Sequence, residues 1–329
     1  MIWKKTKTSG MLLCLALCAA CSSDNDEPVV VQPPVTSYPL TIEVSENPLI
    51  PDGQEARGET RAPITTTTTL TAFNLNYVYD ETSTGSEEVE KEGGIWKVKN
   101  DGGWPFGAAE ADVEVTWYAS TSGTFNLNGN NPYIDFTVEA DAAKQKDLLV
   151  AKTSGKFSDY YTNGVNVKSL SFTFDHACTA LKFSVKKAKN LEEYTLKVSN
   201  IKLKNVVNSG TYNYGSGEWT FDTNSDSDFT LLSTETTLSS DSYTLLNGDE
   251  ENSYLFMIPQ TLTAWNPEQA LSNCYLEIVC EITKDGNSVY SGTAYIPFSA
   301  AFVKGYQHDV NINIGKNTLY SGQNTKIFN

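Results

Sequence analysis

Residues 275–282 read Tyr-Leu-Glu-Ile-Val-Cys-Glu-Ile, residues 289–296 read Val-Tyr-Ser-Gly-Thr-Ala-Tyr-Ile, and Asp285-Gly286 lies between them. Leu276, Ile278, Cys280 and Ile282 recur every second residue, which places them on one face of a strand. Asp-Gly supplies the positive φ that a tight turn between strands needs. The same pattern runs through most of the chain. Phe73, Leu75, Tyr77 and Tyr79 alternate with Asn74, Asn76 and Val78, and Val113, Val115 and Trp117 alternate with Asp112, Glu114 and Thr116. Further strand-like runs occupy residues 134–138, 148–151, 167–174, 181–185, 194–203, 255–258 and 310–314. Turn signals at Asn128-Gly129, Asn163-Gly164 and Asn247-Gly248 separate some of them. Residues 186–196 are rich in helix formers but place few apolar residues at helical spacing. Strands spaced by about ten residues predict an all-β chain built of antiparallel sandwiches.

The chain has 329 residues, and at about 150 residues per domain this predicts two domains plus tails. With 40% hydrophobic and 11% aromatic residues it has the material for packed cores. The net charge of −16 opposes binding to nucleic acid and to anionic membrane surfaces. Only two histidines are present, His176 and His308, which excludes a three-histidine metal centre. Neither has a nucleophile signature beside it, so both are expected to be structural.

The first twenty residues read as a targeting segment. Lys4, Lys5 and Lys7 precede a short apolar run from Met11 to Leu17, and Ala19-Ala20-Cys21 follows. This resembles a lipobox, with a signal peptide over 1–20 and Cys21 as the acylated first residue of a bacterial lipoprotein. Acyl chains on Cys21, palmitate among them, would hold the protein on a membrane. Residues 22–27 are serine and acid rich and resemble an export tag for the outer surface. A linker with Pro28, Pro33 and Pro34 comes next, then the alternating strand Tyr38 to Val44, then a loop over 46–63. That loop holds Arg57 and Arg61, the only arginines in the chain. An arginine-specific protease therefore has two targets, both in an exposed-looking segment.

Sites for chemistry are sparse. No glycine-rich phosphate loop precedes a helix, and no nucleophile elbow occurs. Asp222, Asn224, Asp226 and Asp228 offer oxygen ligands at alternate positions, as calcium prefers, but Ser227 and Ser233 stand where a calcium loop needs Gly and Glu. A polar hairpin loop accounts for them better. Acidic pairs such as Glu87-Glu88 and Glu192-Glu193 do not by themselves set a glycosidase geometry. The tryptophans within strand patterns read as core. Cys178, Cys274 and Cys280 lie beyond the targeting segment; an odd set forbids a full disulfide framework. Cys274 and Cys280 lie ~20 Å apart along one strand and cannot bridge each other, which leaves pairing of Cys178 with either one open. No cofactor, no metal and no enzymatic activity are expected.

Four stretches together carry a resemblance. Trp104-Pro105 precedes Val113-Glu-Val-Thr-Trp117-Tyr118-Ala119. Asp147-Leu-Leu-Val-Ala151 leads to Leu170-Ser-Phe-Thr-Phe174-Asp-His176-Ala177. Leu255-Phe-Met-Ile258-Pro259-Gln260 follows, and Ile296-Pro297 leads into Gly305-Tyr306 and residues 310–314. In this order, and with the lipobox, the chain resembles the fimbrillin-like (Mfa-like) family of type V pilin-type surface lipoproteins from about residue 60 to about 315. The resemblance implies two tandem transthyretin-like antiparallel β-sandwich domains, over 64–176 and 177–329, preceded by a lipidated tether, first strand and cleavable loop over 21–63. It implies a precursor at the outer membrane, cut after Arg57 or Arg61, that loses its first strand and takes a strand from another fimbrial subunit. Partners are then other fimbrial subunits, the outer membrane through the lipid, and a host glycan or protein receptor, with no nucleic acid. The tail after Ile314 offers only Leu319, Tyr320, Ile327 and Phe328 as apolar residues, so its use as a donor strand, and the choice among stalk, tip and anchor, stays open. The alternative is a lipid-tethered glycan- or protein-binding adhesin that does not polymerise.

Overall fold

Period-two alternation governs the chain in a computed structural model, which describes residues 37–51, 70–80, 83–99, 102–222, 226–246, 254–322 and 325–328. Leu170–His176 shows it plainly, with Leu170, Phe172, Phe174 and His176 buried and the residues between them exposed. The described chain is nearly all β, as expected.

In chain order the first strands are β1 (Ser37–Pro39), β2 (Ile42–Glu46), β3 (Ile50–Pro51), β4 (Ala72–Tyr79), β5 (Ser83–Glu92), β6 (Ile95–Val98) and β7 (Gly103–Pro105). A six-residue helix α1 (Phe106–Ala111) precedes β8 (Val115–Ser120), β9 (Thr124–Asn128), β10 (Asn131–Thr137) and β11 (Leu149–Gly155). After α2 (Phe157–Tyr160) come β12 (Tyr161–Thr162), β13 (Val165–Asn166), β14 (Leu170–His176), β15 (Thr179–Lys187), β16 (Thr195–Val207), β17 (Ser209–Asn213), β18 (Trp219–Phe221) and β19 (Asp226–Leu232). The remainder are β20 (Thr236–Thr237), β21 (Thr244–Leu245), β22 (Leu255–Met257), β23 (Thr261–Leu262), β24 (Tyr275–Lys284), β25 (Asn287–Pro297), β26 (Ala300–Ala301), β27 (Tyr306–Ile314) and β28 (Tyr320–Ser321).

Two apolar cores form. The first lies inside a closed barrel of order β11-β14-β2-β6-β5-β4-β8 and packs Phe73, Leu75, Trp104, Trp117, Leu170, Phe172 and Phe174. Closure removes free strand edges. Here β2 completes the ring, since it joins β14 on one side to β6 on the other.

The second core lies between the sheet β21-β15-β27-β3 and the sheet β19-β16-β24-β25-β28. The opening stretch of the sequence analysis forms the β24–β25 hairpin, with Asp285 and Gly286 both at positive φ in the turn. Phe183, Val198, Leu203, Phe229, Leu276, Ile278 and Ile282 are completely or almost completely buried there. Ile134 and Phe136 of β10 belong to this core as well, because β10 pairs with β17.

Candidate functional site

The site is built around β2 and begins with Pro39, which lacks a backbone N–H and ends β1. Leu40 and Thr41 therefore separate two strands where the sequence pattern predicts one run from Tyr38 to Val44. β1 pairs with β7 through Tyr38 opposite Trp104. That approach depends on Gly103, where a Cβ would stand 2.1 Å from the Tyr38 carbonyl oxygen. The Tyr38 ring enters an aromatic cluster with Phe157 and Tyr161 at 4.6 and 5.7 Å between centroids, and the Tyr161 hydroxyl donates to the Pro39 carbonyl at 2.5 Å.

β2 is held unequally on its two sides. Along β14 it pairs in parallel over five residues, from Ile42 opposite Leu170 to Glu46 opposite Phe174. Facing β6 it makes one pair, Ile42 with Trp96. Beyond that pair a groove of about 580 Å³ opens between the strands, lined by Glu43, Val44, Ser45, Gly94, Ile95 and Trp96 among others. Ile95 is 63% exposed beside it. Only Ile42 of β2 is fully in the core.

The carboxyl end of β2 is fastened by polar groups. The Asn47 amide nitrogen donates to the Phe174 carbonyl at 2.8 Å, and Asn47 Nδ2 donates to Asp175 Oδ1 at 2.7 Å. His176 occupies an inward position of β14 and is 4% exposed. Its Nδ1 hydrogen-bonds Asp147 Oδ2, and its Nε2 lies 3.4 Å from Glu46 Oε1. The second contact falls short of hydrogen-bond geometry but acts as a charge contact. Burial pulls the His176 pKa down, but the hydrogen bond and charge of Asp147, the charge of Glu46 and a backbone group of Asn47 outweigh it, and the net shift is upward. After Asn47 the chain buries Leu49 and pairs Ile50 with Tyr306 of β27, so residues 37–51 pack Ile42 into the first core and pair with a strand of the second sheet system.

Cys21, Arg57 and Arg61, the predicted lipidation and processing residues, lie outside the described residues. Both histidines are buried, and His308 Nε2 accepts from the Val303 N–H at 3.2 Å. Cys178, Cys274 and Cys280 are free thiols and buried, so neither pairing of Cys178 forms in this structure. Trp104, Trp117 and Trp265 are buried core residues. At the calcium candidate, Asp228 pairs instead with Lys204. Among the described residues no three His, Cys, Asp or Glu side chains gather as a metal set. The tail folds back: β28 pairs with β25, Leu319 is fully buried, and Phe328 lies 5.3 Å from the Tyr194 ring. The anchoring of β2 by His176 escaped the sequence reading. Its available signal was phase, since His176 continues the inward series Leu170, Phe172, Phe174.

The family model described as fimbrillin-like matches residues 60–327. The chain belongs to the fimbrillin-like family. No curated protein matches the chain. Among solved structures, a fimbrial protein from Bacteroides vulgatus is 15% identical, with 84% of this chain and 96% of that one covered, at a TM-score of 0.51. A protein from Bacteroides uniformis assigned to cell adhesion is also 15% identical over 87% and 96% of the two chains, at a TM-score of 0.47. At this identity the likeness to the Bacteroides vulgatus protein speaks to fold alone. Family membership makes this chain a surface protein of fimbrial type, and association with other fimbrial subunits follows from the same membership.

Proposed function

We propose that this fimbrillin-like chain is a lipid-anchored precursor, carried to the outer membrane surface by acylation at Cys21. Cleavage after Arg57 or Arg61 by an arginine-specific protease then separates β1, β2 and β3 from the rest. Loss of β2 opens the barrel between β14 and β6, and an extended strand of another subunit takes its place. The chemistry is main-chain hydrogen bonding along the β14 edge, with apolar side chains at alternate positions filling the Ile42 and Val44 places. The role is structural and adhesive, with no turnover and no cofactor.

The observation that carries this proposal is the unequal pairing of β2, five residues against β14 and one against β6. A strand that completes a barrel while pairing fully with one neighbour can leave along an already open groove. The tail bears on the position in the fibre. Because Leu319 and Phe328 are packed against the second core, donating the tail would first cost that packing. This favours a tip or accessory subunit, which accepts a strand, over a stalk subunit, which also donates one. The same observation favours the second reading, an adhesin that stays monomeric and holds a glycan or protein receptor.

Limited digestion with an arginine-specific protease, followed by mass spectrometry and unboiled gels, tests the proposal. The expected result is a single cut after Arg57 or Arg61 and release of the amino-terminal piece on addition of a partner subunit. In Arg57→Ala with Arg61→Ala the chain stays at full length. Release of β2 without either arginine, or retention of β2 in assembled fibres, refutes strand replacement.

A further inference from the structure

The place that β2 occupies is apolar at its start and polar at its end. Alternation puts Ile42, Val44 and Glu46 on one face of β2, with Ile42 in the first core and Val44 packed against it. Glu46 is the third residue of that face, and its Oε1 stops 3.4 Å from His176 Nε2. His176 Nε2 is buried and has no hydrogen-bond partner, and Asp147 Oδ1 behind it is buried and unpartnered as well. Asn47 follows, and its Nδ2 donates to Asp175 Oδ1 at 2.7 Å. The barrel therefore meets the end of this strand with an imidazole edge for a carboxylate and with a carboxylate for an amide N–H.

The charges around the imidazole fix its role. An ionised carboxylate only accepts, so Nδ1 donates to Asp147 Oδ2, and in the imidazolium Nε2 is a second donor, aimed at β2. The titratable groups against the ring are Glu46 from β2 and Asp147 from the segment before β11. Cys178, just before β15, bonds Asp147, and Asp175, the neighbour of His176 on β14, faces outward. Two carboxylates facing one imidazole favour its charged form. Yet Glu46 falls short of a hydrogen bond, so β2 leaves a buried donor unmet, an unfavourable state that a better-placed carboxylate relieves.

We propose that the slot left by β2 selects its incoming strand by this polar end. The strand it takes is a partner subunit's, parallel to β14, with apolar residues at the Ile42 and Val44 places, a carboxylate at the Glu46 place and a hydrogen-bond donor at the Asn47 place. This rests on the strand-replacement reading and adds the chemistry of the partner to it. Main-chain bonding and apolar alternation accept many strands; a buried donor that stays unpaired penalises those without the acid. Residues 315–329 hold no Asp or Glu, so the tail of a second copy of this chain lacks the carboxylate, and the favoured donor is a different subunit.

The test is a competition titration on the full chain in mild detergent after arginine-specific cleavage, with a fluorescent synthetic peptide of residues 37–51 read by anisotropy. Unlabelled parental peptide should displace it. Glu46→Gln in the competitor should weaken displacement by about threefold, the scale of a part-exposed charge contact, and Glu46→Gln with Asn47→Ala by about tenfold. Glu43→Gln removes the same charge from an exposed position and should change nothing. These changes lie in the peptide, so the folded acceptor is the same in each titration. The Glu46→Gln penalty should vanish in an acceptor carrying His176→Leu with Asp147→Leu. It should be full at pH 6 and shrink by pH 9, as His176 loses its proton. A peptide of residues 315–329 should compete at least about tenfold worse than the parental one. In the uncut chain, Glu46→Gln should speed hydrogen exchange at Ile42–Glu46 by about threefold, and by nothing further in the His176→Leu, Asp147→Leu background. Equal displacement by the parental and Glu46→Gln peptides, a penalty that persists without His176, or a tail peptide as good as the parental one overturns the selection and leaves strand replacement standing. Failure of the parental peptide to enter the cut chain overturns both.

Discussion

Replacing His176 with Leu should destabilise the protein and remove a pH dependence that the parent shows. Leucine is close enough to histidine in size that the change is mainly electrostatic. Asp147 is left behind with a side chain only 6% exposed; one carboxylate oxygen has no hydrogen-bond partner in the parent, and the other loses His176. Removing one member of a buried pair costs about 3–5 kcal/mol, because the survivor is an uncompensated buried charge. Glu46, at 27% side-chain exposure, adds under ~1 kcal/mol through solvent screening. A loss of about 3–5 kcal/mol is a large share of a typical total of ~5–15 kcal/mol. Because the His176 pKa is raised in the folded state, the pair's contribution is complete below the unfolded histidine value of about 6.5 and falls as pH rises through the folded value. Urea unfolding from pH 6 to pH 9 should therefore show parental stability falling with pH, and His176→Leu lacking that slope. His176→Leu combined with Asp147→Leu should recover much of the loss, since an apolar pair can replace a buried ion pair. Hydrogen exchange should quicken at Ile42–Glu46 in the single variant, as Glu46 and Asn47 lose their polar neighbour. A cost below ~1 kcal/mol, or an unchanged pH slope in His176→Leu, refutes this account.

Ile42→Ala should cost about 2–5 kcal/mol, as for other buried aliphatic truncations, and should speed exchange at β14 amides next to β2. Calorimetry and exchange mass spectrometry read the two effects. Burial raises the Cys178 thiol well above its usual value and pushes Cys274 to about 12 and Cys280 to about 11. Alkylation mapping at pH 8 should find all three unmodified in the native chain and modified in denaturant. Leu319→Ala should destabilise by about 2–5 kcal/mol and detach the tail, seen as new protease cuts after Lys316 and Lys326.

Local order was legible in the sequence because a strand writes its own two-residue period. The β24–β25 hairpin, the inward series of β14 and the tryptophan core all follow from spacing and turn chemistry. Barrel closure was not legible. β2 pairs with β14 across a separation of 128 residues, as in the Ser45–Thr173 hydroxyl contact, and no local pattern encodes that partner. The Asp147–His176 pair and its Glu46 neighbour come from three separate segments, and only the phase of His176 was visible. The poor alternation of the tail was visible, but not its return against β25, which depends on Leu319 finding the second core.

In the proposed exchange β2 has to balance retention against release. A strand with two full neighbours resists removal through ladders on both sides, whereas a free edge strand offers a partner nothing to replace. β2 has one complete ladder, one pair on the far side, and a short apolar contribution centred on Ile42 and, beyond the strand, Leu49. Each backbone hydrogen bond is worth roughly 1 kcal/mol net, so most of the polar retention lies along β14. That same edge is what an incoming strand would inherit, together with the Ile42 place in the core. Removal alone would leave the Leu170–Phe174 edge of β14 unpaired, with β11 still on its other side, and Phe172 and Phe174 next to an open slot, a state that favours association. A replacement strand that matches the inward parity of Ile42 and Val44 and also fills the groove toward β6 would bind more tightly than β2 itself. Exchange would then run downhill, because the open β6 side leaves contacts unmade in the parent that a better-fitting strand can make.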